Sequence, residues 1–187
     1  MYSGKVTTFL GVDPAFREGG FWACILETNT DMNPIGSKTA TMKQFKDAID
    51  FDRWIYRRII YRDTAHLIVH DMAPDWAFSC IENSNLQNAS FDTSGRNKVI
   101  ARKARNVGTN QAASELAYRS AVSLYGKDMV SQVSPQRKGR KITDDKIFRG
   151  IVKQDGFSLI GYTGNQDQRD AYMIACIGMY ESKIKKV

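Results

Sequence analysis

Residues 21–26, Phe-Trp-Ala-Cys-Ile-Leu, are apolar without a break and without alternation. A strand of this kind has no face to give to water, so it belongs inside a sheet covered on both sides. The neighbouring runs supply its partners. Val6 to Val12 is rich in β-formers and is followed by Pro14, which has no N–H to give to a ladder. Asn29 to Ser37 holds Asn33-Pro34 and Gly36, a turn signal, after which Ser37 to Met42 returns as a third, antiparallel strand.

Helical and strand-like segments alternate from there. Phe45 to Met72 reads as a helical region in which Ile55, Ile59, Leu67, Ile68 and Met72 supply an apolar stripe, with room for a break near Asp50 or Asp63. Ala73-Pro74-Asp75 ends it, and Ala77 to Glu82 is the next strand. Asn83 to Gly95 is a polar loop, and Asn97 to Tyr125 a long helix stopped by Gly126. Asp128 to Val133 is a fifth strand and Ser134 to Lys141 a basic loop. Ile142 to Gln154 is helical, with Thr143 and Asp144 as caps. A short Phe157 to Ile160 segment precedes Gly161 and Gly164, and a last helix runs from about Asn165 to Ser182. This order predicts an α/β fold: a mixed five-stranded sheet, three sequential strands and then βα units, flanked by helices. With 187 residues, no internal repeat and no linker long enough to divide it, residues 1–187 are expected to be one domain.

Four carboxylates fall where these elements end or begin. Asp13 closes the first strand and Glu82 the fourth; Asp167 and Asp170 open the last helix. Ligand sites in open α/β sheets gather at the C-terminal ends of strands, and adjacent parallel strands would bring Asp13 and Glu82 together. Asp167 and Asp170, three apart, share a helix face. Clustered carboxylates repel one another, and divalent cations relieve that repulsion. An all-oxygen donor set suits Mg²⁺, which completes its shell with water and phosphate oxygens. Two such ions about 3.5–4 Å apart can activate a water and stabilise a leaving oxygen, which is phosphodiester hydrolysis. Each acid also has a plainer use: Asp13 before Pro14 as turn chemistry, Glu82 as a solvated strand end, Asp167 against the helix dipole, Asp170 as a first-turn surface residue.

Charge bears on the substrate. The formal net charge is +7, and an excess of that size on a small domain favours a polyanionic partner such as nucleic acid, or else serves solubility alone. Arg96, Lys98, Arg102, Lys103 and Arg105 form one basic cluster. Arg137, Lys138, Arg140 and Lys141 form another. Both suit phosphate contacts, which position a nucleic acid without reading its sequence. Arg53, Arg57, Arg58 and Arg62 lie along a different helix and read as surface. His66 and His70 are four apart, a spacing compatible with metal, with no third soft ligand in the sequence pattern. Trp54, Tyr56 and Tyr61 read as core or dimer packing.

Taken together, these stretches resemble the RuvC-type Holliday junction resolvases of the ribonuclease H-like nucleases. Leu10-Gly11-Val12-Asp13-Pro14 is similar to the family's first strand with its Asp-Pro ending, and Gly19-Gly20-Phe21 to its turn into the second. Pro74-Asp75-Trp76 leading to Ile81-Glu82 is similar to the approach to the second acid. Asp167-Gln168-Arg169-Asp170-Ala171 matches the closing Asp-x-x-Asp-Ala, and the helix holding Ala101 to Arg105 fits the element after the second acid. The resemblance implies a ribonuclease H-like fold and a homodimer that binds branched DNA, the four-way Holliday junction above all. It implies nicks placed symmetrically by two Mg²⁺ ions per site, with Mn²⁺ as a substitute. Asp13, Glu82, Asp167 and Asp170 would be the ligands.

The family also places a lysine near the start of the helix before the closing motif. Lys146 is the best positional match, with Lys138 and Lys141 as competitors; a cation there would stabilise developing phosphate charge. The chain departs from the family three residues after the second acid, where bacterial members carry an aromatic wedge and this chain has Asn85. Leu86 or Phe91 in the same loop could instead unstack the bases at the junction centre. Some viral relatives cut branched DNA with relaxed sequence preference, and a bacteriophage origin fits this chain as well as a cellular one.

Two other functions compete: an RNA/DNA-hybrid ribonuclease of the same fold, and a non-catalytic junction-binding protein. Against the latter, a pure binder of polyanions gains nothing from clustered negative charge. Cys24, Cys80 and Cys176 lie in apolar runs without CxxC spacing and read as reduced, buried thiols. No stretch approaches the roughly 20 apolar residues of a membrane span, and Met1 to Lys5 leads into a strand rather than a secretory signal. A soluble protein of the cytoplasm, bacterial or phage-infected, is expected.

Overall fold

The computed structural model describes residues 7–14, 21–27, 38–57, 75–82 (as backbone), 112–124, 126–127, 130–133 and 141–184. They form a six-stranded mixed sheet with helices against it. The strands are β1 (Thr7–Asp13), β2 (Phe21–Glu27), β3 (Lys38–Phe45), β4 (Asp75–Glu82), β5 (Val130–Val133) and β6 (Phe157–Ile160), in the spatial order β5-β4-β1-β2-β3-β6. β1, β2 and β3 form an antiparallel meander. β4 runs parallel to β1, β5 parallel to β4, and β6 parallel to β3. The helices are α1 (48–57), α2 (112–124), α3 (Asp145–Gln154) and α4 (Gln166–Ile184).

Strand periodicity divides the apolar residues between two cores. On one face Phe9, Trp22, Cys24, Leu26, Ala40 and Met42 pack with Phe148 and Val152 of α3 and with Ala171, Tyr172, Ala175 and Met179 of α4. On the other, Leu10, Val12, Phe21, Ala23, Ile25 and Phe45 pack with Phe51 and Ile55 of α1 and Ala117 and Ala121 of α2. The unbroken apolar run of β2 is thus buried on both sides from Phe21 to Leu26, as its composition requires. Rings of Phe21, Phe45, Phe51 and Trp54 meet at centroid separations of 5.2–5.7 Å, giving the second core its aromatic centre.

Several expectations need correction. The sheet has a sixth strand: Phe157–Ile160 pairs with β3 from Lys38↔Phe157 to Thr41↔Ile160. Four residues are too few to announce a strand by periodicity, and an available β3 edge decides the matter. Phe45 belongs to β3, opposite Phe21, and helix begins only at 48, continuing through Asp50 without a break. Asp75 starts β4 instead of closing a helix. α3 starts at Asp145, not Ile142, because Asp144 has an extended backbone and its carboxylate accepts the Ile147 amide at 2.9 Å. Gly126 stops α2 as expected, at φ 83° with its amide on the Val122 carbonyl.

The expected turn at 29–37, the helical stretch 58–72 with Ile59, Asp63, Leu67, Ile68 and Met72, the loop 83–95 and the helix start 97–111 lie outside the described residues. Among the described residues no helix is long and apolar enough to cross a membrane.

Candidate functional site

The site grows from one close contact. A β-carbon on Gly11 would collide with the Ala171 carbonyl oxygen and the Ala175 amide nitrogen, so α4 lies against the β1 backbone itself. Asp13 is two residues on from Gly11, on the same face of the strand by the period of two. Asp170 immediately precedes Ala171, and Asp167 lies one turn before it. The absent side chain of Gly11 therefore seats α4, at Ala171 and Ala175, directly on β1 two residues before Asp13. β4 completes it. The parallel register Val12↔Ile81 places Asp13 and Glu82 one step further on, at the C-terminal ends of adjacent strands, and Glu82 pairs with Val133 of β5.

Asp170 is buried, its side chain only 4 % exposed. A buried carboxylate needs compensation, and Gln166 and Lys141 contribute to it. Gln166 Nε2 donates to Oδ1 at 2.7 Å, and the ammonium of the exposed Lys141 lies 3.5 Å from Oδ2. Among the described residues, Lys141 is thus the lysine beside the acid, in place of Lys146. Lys146 is exposed on the first turn of α3.

The start of α4 is held by residues the sequence reading overlooked. Asn165 caps it, its Oδ1 accepting the Asp167 amide at 2.9 Å. Gln168 is fully buried. Its Oε1 accepts the Thr163 amide, the Thr163 hydroxyl and the Asn165 amide at 2.9–3.3 Å, and its Nε2 donates to the Gly161 carbonyl at 3.0 Å. The turn it clamps needs positive φ at Gly161 and Gly164. Arg169, also buried, donates to the Tyr162 hydroxyl at 2.9 Å, the Gly164 carbonyl at 3.0 Å and Gln166 Oε1 at 3.2 Å.

Tyr162 in turn donates to Asp145 Oδ1 at 2.6 Å, and Arg149 binds Oδ2 at 2.8 Å. These bonds hold the Asp145 carboxyl below the usual carboxylate range, the Tyr162 hydroxyl contributing most. Burial pushes the Tyr162 hydroxyl upward. A continuous polar chain therefore runs from Asp145 through Tyr162, Arg169 and Gln166 to Asp170, joining the starts of α3 and α4. A signal for Gln168 was available: it falls on the same i, i+3, i+4 stripe as Ala171, Tyr172 and Ala175, so its amide had to be buried and partnered.

Among the described residues, which exclude the Glu82 side chain, no three His, Cys, Asp or Glu side chains converge as a metal-holding group. Arg102, Lys103, Arg105, Arg137, Lys138, Arg140, Leu86 and Phe91 lie outside the described residues, as do Asn85, Arg96, Lys98, Tyr61, Arg58, Arg62, His66, His70 and the Cys80 side chain. Arg53 and Arg57 are exposed, as read; Trp54 packs in the core, while Tyr56 is 55 % exposed. Cys24 and Cys176 are buried free thiols, Cys176 pushed up to about 12 chiefly by desolvation. No protein-family model, curated protein or solved structure matches the chain.

Proposed function

We propose that the chain is a structure-selective DNA endonuclease of the ribonuclease H-like kind, resolving four-way and other branched junctions by two-metal-ion phosphodiester hydrolysis. The observation that carries this reading is the juxtaposition at Gly11: parallel neighbours β1 and β4 end in Asp13 and Glu82, and α4, seated on the β1 backbone, opens with Asp167 and Asp170. The antiparallel β1-β2-β3 meander followed by strands parallel to β1 agrees with the fold that the resemblance implies.

The acids offer only hard oxygen donors, which fit Mg²⁺ or Mn²⁺. Asp13, Glu82, Asp167 and Asp170 would hold the ions, which when bound supply Lewis acidity for the hydrolysis. The chain's own residues prepare the place. Gln166 orients Asp170 by its 2.7 Å hydrogen bond. Lys141 balances the buried carboxylate and, being 63 % exposed, offers its ammonium to an incoming phosphate. Among the described residues, Lys141 thereby takes precedence over Lys146 as the cation of the site. A homodimer would present two such sites to opposing strands of a junction.

The deciding assay compares a synthetic four-way junction, a linear duplex and an RNA/DNA hybrid with Mg²⁺. Preferential junction cutting is expected, and Asp13→Asn or Glu82→Gln should abolish it while junction binding persists. Activity surviving both changes would remove these acids from the mechanism, and faster hybrid cleavage would assign the ribonuclease instead. The pairing of Asp170 with Lys141 and Gln166 favours one second reading, a junction-binding protein without catalysis; binding with no cleavage under any divalent cation would establish it.

A further inference from the structure

We propose that the outer face of α3, the stripe Lys146–Gly150–Lys153, is a docking surface for the sugar–phosphate backbone of a nucleic-acid duplex. α3 buries Phe148 and Val152. Positions 146, 150 and 153 are spaced i, i+4, i+7 and fall on the opposite side of the helix, and all three residues are exposed. The helix's acids are engaged elsewhere. Asp144 caps the Ile147 amide, and Asp145 is taken by Tyr162 and Arg149, whose guanidinium stacks over the Tyr162 ring at 5.0 Å. The outward stripe itself carries only positive charge.

Gly150 is the telling residue. A glycine inside a helix weakens it relative to alanine. Gly11 needs its missing β-carbon for packing, and Gly126, Gly156, Gly161 and Gly164 need positive φ. Gly150 has neither reason: it lies within α3 without positive φ, and an added β-carbon would meet nothing within 4 Å. A bare patch of helix between two lysines lets an external ridge approach the backbone closely. Lys146 and Lys153 are separated by about 10.5 Å along the axis at 1.5 Å per residue. Two cations so far apart can meet separate phosphates of one strand. Along the chain the stripe follows the candidate site closely, Lys141, beside Asp170, lying five residues before Lys146. The inference rests on the nuclease reading only in taking nucleic acid as the polyanion.

The test is binding of a short DNA duplex and a four-way junction, labelled for anisotropy, in chelator without divalent metal and over a series of salt concentrations. Cleavage plays no part, so failure of the nuclease assay and failure of this inference are separate results. Gly150→Ala is expected to raise the thermal midpoint by about 2–4 °C and yet weaken binding several-fold. Lys153→Gln should reduce the slope of log K against log salt by about 0.9, one phosphate contact. Arg119→Gln, on α2 against the other face of the sheet and paired with Glu115, should leave that slope unchanged. Unaltered affinity in Gly150→Ala, an unaltered slope in Lys153→Gln, or no duplex binding by the native chain would each overturn the assignment.

Discussion

A methyl group at position 11 would have to displace helix backbone, which cannot swing aside as a flexible side chain can. Gly11→Ala should therefore destabilise the protein by about 3 kcal/mol, measured by denaturant unfolding, and should separate Asp13 from the start of α4. Lys141 is the other decisive single residue. If it serves the buried Asp170 and an incoming phosphate, Lys141→Gln should slow single-turnover junction cleavage at saturating protein by about tenfold or more, while Lys146→Gln should weaken binding and leave that saturated rate closer to native. Equal losses would return the role to the positional match. The thiols are silent by the same logic of burial. Desolvation raises both Cys24 and Cys176, so at neutral pH the reactive thiolate is scarce. Alkylation mapped by mass spectrometry should find both residues unmodified until the protein is unfolded.

The turn between β6 and α4 behaves as a built element. Gln168 meets three donors and one carbonyl of residues 161–165 with a single buried amide. Gln168→Leu keeps the bulk but strands those groups, and a loss of about 3 kcal/mol in unfolding free energy is expected. The bracket between α3 and α4 has a pH signature as well. The folded state holds Asp145 below its ordinary value, so its contribution is complete above about pH 3.9 and fades as pH falls through the lowered value. Tyr162→Phe removes the largest cause of that shift and should flatten the acid limb of stability, measured as the thermal midpoint between pH 5 and 2. Tyr172 adds a second tie between these helices, its hydroxyl donating at 2.7 Å to Asp155, the residue that ends α3.

At the scale of the molecule, the two cores on opposite faces of the sheet explain why so much of the fold was readable. β2 had to be buried on both sides, and the runs on either side of it were legible as its partners. The Asp144 cap and the Gly126 stop are local chemistry, legible in a short window. β6 was not, because a four-residue strand exists through the β3 edge it completes. The acids were legible as positions at element ends, since carboxylates there are conspicuous in any apolar pattern. Their neighbourhood was not, because it depends on which strands are adjacent and on how closely a helix approaches one of them. The sequence by itself determined the layered α/β character, five of the six strands and the places of Asp13, Glu82, Asp167 and Asp170. Only the tertiary structure decided that Lys141 stands beside Asp170 and that Gln166, Gln168 and Arg169 hold the first turn of α4. Those contacts join residues through packing and polar satisfaction in space, and no periodicity along the chain encodes them.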